Sequence, residues 1–212
     1  MDLSNLTIHF LGDSITQYHA ATSEDTAFVG LFRKKYPNAI IYNYGIGGSC
    51  ISDCCIWDVE DMRIRAKRME PDADLIVVFG GTNDFNCMAP LGAPEDRTPD
   101  TFRGACNLLL DDLLSRYPNA KIVICTPLHR FDETLPERDG HVRVAPLSEY
   151  VRIVRETARD YGCDLIDLYK LEEFRTESGV KSPLTRDGLH PMDEGHAIIF
   201  AYMDNALRKM EK

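Results

Sequence analysis

Leu6-Thr7-Ile8-His9-Phe10-Leu11-Gly12-Asp13-Ser14-Ile15-Thr16 is the stretch that decides the fold. Leu6 to Leu11 is short, apolar and rich in strand formers, and Gly12-Asp13 break the run. It reads as a first strand that stops abruptly and offers Ser14 at its carboxyl end. Taken alone, the turn has a plainer explanation, because Asp and Ser favour helix N-caps for hydrogen-bonding reasons. The rest of the chain separates the two readings.

Downstream, strands and helices alternate. Residues 23–36 carry Phe28, Leu31 and Phe32 at helical spacing and end at Pro37. Residues 39–44 read as a second strand closed by Gly45-Ile46-Gly47-Gly48, and residues 53–69 as a mixed, charged helix. Leu75-Ile76-Val77-Val78-Phe79 is the clearest strand, ended by Gly80-Gly81-Thr82-Asn83-Asp84. A Pro/Gly-rich loop over 85–99 precedes an amphipathic helix over 101–117. The fourth strand is 121–125, ended by Thr126-Pro127, and a charged loop covers 128–143. A helix over 145–161, a fifth strand over 164–168 and a last helix over 192–210 complete the pattern. Strands separated by helices, with near-continuous apolar runs, predict an α/β three-layer α/β/α sandwich around a parallel sheet. At 212 residues the chain is expected to form a single domain over 1–212.

Composition narrows the function. A net charge of −10 argues against nucleic acid as a partner, and no apolar run approaches a membrane span. The start, Met1-Asp2-Leu3-Ser4-Asn5, lacks a basic end followed by an apolar stretch, so a cytoplasmic location is expected, although a chain trimmed of a secretion signal would read the same. Seven cysteines are an odd number for a disulfide framework. Cys50, Cys54 and Cys55 cluster without a second ligand pair at zinc-site spacing, so reduced thiols and no metal are expected.

In doubly wound sheets ligands bind outside the carboxyl ends of the strands. Ser14, Gly48 and Asn83 follow strands one, two and three, and Asp187-Gly188-Leu189-His190-Pro191 lies beyond strand five. Asp187 can hold the His190 imidazole while the other ring nitrogen faces a serine. The Ser14 and Gly48 backbone N–H groups and the Asn83 side-chain amide can serve a developing oxyanion. Tyr18 and Trp57 offer stacking surface for a substrate, and His129 and Arg130, on a rim loop, are further candidate substrate contacts. The Gly-x-Ser-x-Gly elbow, the phosphate loop and the dinucleotide fingerprint are all missing.

These four blocks, Gly12-Asp13-Ser14, the glycine turn at 45–48, Gly81-Thr82-Asn83-Asp84 and Asp187-Gly188-Leu189-His190-Pro191, resemble those of the SGNH (GDSL-type) hydrolase family in order and extent. Ile15 stands where the family's name has Leu, and Met192 where similar proteins often carry a polar residue. The resemblance implies a five-stranded flavodoxin-like fold and ester hydrolysis without a metal or other cofactor. It makes Ser14 the nucleophile, His190 the base and Asp187 its orienter, with Ser14, Gly48 and Asn83 as the oxyanion hole. A small-molecule or carbohydrate ester, acetylated above all, is the expected substrate, because the rim loops are polar. A lysophospholipase or thioesterase is the alternative within the family. A metal enzyme using His190 and His196 and a catalytically idle flavodoxin-like binding module are the alternatives outside it.

Overall fold

A computed structural model describes residues 1–138 and 140–211. In chain order the elements are β1 (Thr7–Gly12), α1 (Ser14–Gln17), α2 (Phe28–Lys35), β2 (Ile40–Gly45), α3 (Met62–Ala66), β3 (Leu75–Phe79) and α4 (Thr82–Asn86). Then come α5 (Phe102–Arg116), β4 (Lys121–Cys125), β5 (Glu137–Arg138), β6 (His141–Val142), α6 (Leu147–Tyr161), β7 (Asp164–Ile166) and α7 (Asp193–Lys209). Five strands form one sheet in the order β2-β1-β3-β4-β7, every neighbouring pair parallel. This is the expected five-stranded α/β arrangement.

Alternate strand residues face two separate apolar layers, which explains why the strands read as unbroken apolar runs. Leu11, Ile76, Val78, Ile122 and Ile124 pack under α3, α5 and α6. Ile8, Phe10, Val77, Phe79 and Val123 pack under α1, α2 and α7 through Ile15, Phe28, Phe32, Ile199 and Met203. The register brings the carboxyl ends level, with Gly12 opposite both Gly45 and Phe79, and Phe79 opposite Cys125. One rim therefore collects the four segments that follow β1, β2, β3 and β7. Among the described residues, no helix is long and apolar enough to cross a membrane.

Several boundaries differ from the sequence reading. The helix expected over 53–69 contracts to Met62–Ala66, because Asp61 accepts from Ile64 N at 3.0 Å and starts the helix there, while Asp53 N donates to Pro99 O at 3.0 Å. The helix expected over 23–36 breaks at Ala27, whose extended backbone separates a short turn at Glu24–Thr26 from α2. The fifth strand ends at Ile166, where the Asp167 carboxylate is drawn off to Thr126 Oγ1 and Arg155. The loop read at 128–143 holds the small β5–β6 hairpin.

That loop is fastened by a buried charge cluster. Asp132, 2 % exposed, accepts from both the Arg130 and Arg143 guanidiniums, which are themselves buried. Arg130 Nη1 also donates to Thr82 O and Thr82 Oγ1, and Arg143 lies over the Phe85 ring at 3.9 Å, so the loop is tied to α4. Removing one partner from such a cluster strands the opposite charges in a dry site. Asp132→Ala should therefore lose roughly 3–5 kcal/mol in urea unfolding; a loss below about 1 kcal/mol, the size of an ordinary surface change, would show that the two arginines reach water without it.

Candidate active site

Ser14 is placed by a close approach of backbones. A Cβ on Gly12 would meet Thr16 Oγ1 at 2.0 Å and the Phe79 carbonyl at 2.7 Å, so only glycine lets β1 end against β3 and turn at once into α1. Asp13 caps α1 by accepting from Ile15 N at 3.0 Å. Its carboxyl is fully buried, and burial pushes it up to about 7, so Asp13 serves the turn and not the cavity. Ser14 opens α1, where the first amides lack partners within the helix.

The turn after β2 is fixed on three sides. Ile46 N donates to Gly12 O at 3.2 Å, and Arg65 Nη2 reaches the same carbonyl at 2.7 Å. Asn83 Nδ2 donates to Ser49 O at 3.0 Å, which engages one amide hydrogen and leaves the second for a ligand. Asp84 accepts from Ile51 N, Ser52 N and Ser52 Oγ at 3.0, 2.8 and 2.6 Å. Gly48, at φ +80°, thereby faces the Ser14 side of the rim in a conformation that favours glycine.

The segment before α7 brings the third component. Asp187 Oδ1 accepts from Leu189 N and His190 N at 3.0 and 2.8 Å, and its Oδ2 lies 2.6 Å from His190 Nδ1. His190 Nε2 lies 2.9 Å from Ser14 Oγ. Phe131 N donates to Gly188 O at 3.1 Å, so the fastened rim loop also holds this turn. Burial would raise the Asp187 carboxyl, but its bonds from His190 and Leu189 outweigh that and bring it to about 2. Burial lowers His190 below its ordinary value, against the pull of Asp187. The imidazole is neutral near pH 7 and able to accept a proton.

Ser14, Gly48, Asn83, Asp187 and His190 all line one open cavity of about 420 Å³. Trp57, at its edge, and the buried Arg130 line it too. Two of the residues suggested as substrate contacts stand elsewhere. His129 is buried, held by Glu133 at 3.0 Å and packed on Tyr169 at 3.9 Å. Tyr18 is exposed at the C-cap of α1, with φ 94°, and does not line the cavity. His196, the suggested second metal ligand, is fully buried in α7, accepts from Phe28 N and stacks on the Phe28 ring. The sequence reading missed His19, whose ring lies 4.4 Å from that of His190; Asn86, Phe131 and Arg138 join the lining from the polar rim loops, and Leu189 from the turn before His190. Only the geometry of their turns brings these together.

The paired carboxylate stabilises the protonated imidazole, so its loss has a defined sign. In Asp187→Asn, the His190 titration followed by NMR should move further below its wild-type midpoint. An unchanged or higher midpoint would mean that Asp187 does not hold this ring in solution.

A search of curated protein sequences finds no match. Among solved structures, one of a protein from Lactobacillus plantarum is similar over 100% of both chains, at 24% identity and TM-score 0.83. The acetyl xylan esterase AlAXEase is similar at 25% identity and TM-score 0.66, over 95% of this chain and 99% of that one. A member of the lipolytic protein G-D-S-L family from Veillonella parvula DSM 2008 shares the fold at 15% identity and TM-score 0.65, over 96% and 99% of the two chains. The profile of the GDSL-like lipase/acylhydrolase family matches residues 10–198, from the end of β1 into α7. That span includes every segment that meets at the rim, and the chain belongs to this family.

Proposed function

We propose that this ester hydrolase cleaves short acyl esters, acetyl above all, from polar alcohols such as sugar hydroxyls, with Ser14 as nucleophile. The observation that carries the reading is the hydrogen-bonded line Ser14 Oγ–His190–Asp187 opening on the cavity. His190 Nε2 takes the Ser14 proton as Oγ attacks the ester carbonyl, and Asp187 stabilises the imidazolium that forms. The oxyanion is held by the Ser14 and Gly48 N–H groups and the second amide hydrogen of Asn83. His190 then gives its proton to the leaving alkoxide. A water deprotonated by the same ring attacks the acyl-serine and releases the acid.

The polar alcohol is favoured by the lining. Asn86, Arg130, Arg138 and His19 contribute polar side chains to it, while Trp57 presents a half-exposed face. A long acyl chain would need a continuous apolar groove, at about 0.8 kcal/mol for each methylene buried. Trp57, Phe131 and Leu189 are the large apolar side chains of the lining, enough for a short acyl group. The similarity to an acetyl xylan esterase points the same way.

Ser14→Ala should lower turnover of p-nitrophenyl acetate by roughly 10³ or more, and His190→Ala nearly as much, because the two act as a unit. Asp187→Ala should cost less. Asn83→Ala should lower kcat by about 10²–10³ with a smaller effect on KM. Retained activity in Ser14→Ala, or an Asn83 effect confined to KM, would refute the assigned roles. For the substrate, kcat/KM should fall from p-nitrophenyl acetate to octanoate, and acetylated sugars should be hydrolysed. A steady climb towards octanoate would establish the lysophospholipase-like reading instead.

A further inference from the structure

We propose that Cys50, Cys55 and Cys87 form a binding site for a thiophilic divalent cation, zinc(II) or its analogue cadmium(II), directly behind the oxyanion loop. The three Sγ atoms lie within 4.8 Å of one another, and among the described residues this is the one group of His, Cys, Asp and Glu atoms gathered closely enough to share an ion. Cys50 and Cys87 Sγ are 3.7 Å apart. A zinc–sulfur bond of about 2.3 Å in tetrahedral geometry sets sulfurs about 3.8 Å apart, so this pair already has the spacing of two ligands of one ion. Cys50 and Cys87 are buried and Cys55 is half-buried, which leaves an approach from solvent and a fourth position for water.

No spacing motif announces the site. Cys50 and Cys55 belong to the segment after β2, and Cys87 caps the far end of α4, the helix that begins beside Asn83. Binding forms three S–Zn bonds and releases the thiol protons to solvent, with no change of oxidation state. One of those protons matters for catalysis. Cys55 Sγ donates to the Gly48 carbonyl at 3.3 Å. A ligating thiolate cannot donate, and its charge repels that carbonyl, so the Gly48 peptide must shift. The occupied site therefore weakens the oxyanion hole. This last step rests on the role proposed for Gly48; binding itself does not.

The test is a titration of the full chain, reduced with a phosphine and freed of metal, with cadmium(II) and zinc(II). Cadmium should raise a thiolate charge-transfer absorption that saturates at one equivalent. That absorption should vanish in Cys87→Ser and in Cys55→Ser and persist in Cys163→Ser, whose thiol lies outside the cluster. The two variants guard against one of them failing to fold. No saturable absorption at one equivalent in the wild type, or an equal absorption in both cluster variants, would overturn the site. In parallel, zinc should lower kcat for p-nitrophenyl acetate by about tenfold, less than the 10²–10³ that follows outright loss of a donor, and a chelator should restore it. Metal binding with unchanged kcat would overturn the coupling to Gly48 and leave the site standing. Because absorption needs no turnover, failure of the esterase reading and failure of this one are separately visible.

Discussion

The carbonyl oxygen of Gly12 is the point on which the site depends. It ends β1 and accepts from two groups at once, the Ile46 amide and the Arg65 guanidinium. The first bond ties the turn after β2 to the end of β1. The second brings α3 beneath both, and Arg65 also reaches Ser49 Oγ at 3.1 Å. Nothing larger than glycine fits at position 12, so the distance between Ser14 and Gly48 is set by backbone contact and not by adjustable side chains. On the roles proposed for Ser14 and Gly48, such a preorganised site needs no reorganisation when charge develops on a bound ester.

Buried charges carry the supporting structure outward. Asp84 gathers three donors from Ile51 and Ser52, Asp13 closes α1, and Asp132 joins two arginines. Each of these carboxyl groups holds a piece of irregular backbone that no apolar contact could orient. The rim is built of turns, and turns have exposed peptide groups to place. Buried polar side chains supply the partners that a helix or strand would otherwise provide.

Much of this was legible in the sequence, and the exceptions have physical causes. β3 and β4 coincide with their apolar runs because both are central, covered on both faces and cut off by Gly80 and Pro127. The four rim motifs could be placed because parallel topology alone sends every strand end to one side. Residues 53–61 were misread because charge and periodicity mimic a helix there, while the backbone is spent on Pro99 and on the Asp61 cap. Asp132 and the meeting of Cys87 with Cys50 were invisible for a different reason. Their partners are set by where α4 lands, and no local pattern encodes that.

The tie between Phe131 and Gly188 has a consequence for how such an enzyme changes its diet. Phe131 belongs to the loop that walls the cavity, yet its amide grips the turn that carries the histidine, and its ring fills the space over Gly188. On the role proposed for His190, wall and base thus form one mechanical unit. Grafting a foreign loop over 128–143 to admit a new ester would also loosen the imidazole, so selectivity and turnover cannot drift independently along that edge. The opposite edge, around Trp57, carries no such tie to His190 among the bonds described, but its ring packs against Gly48, so a change of side chain there bears on the Gly48 turn instead.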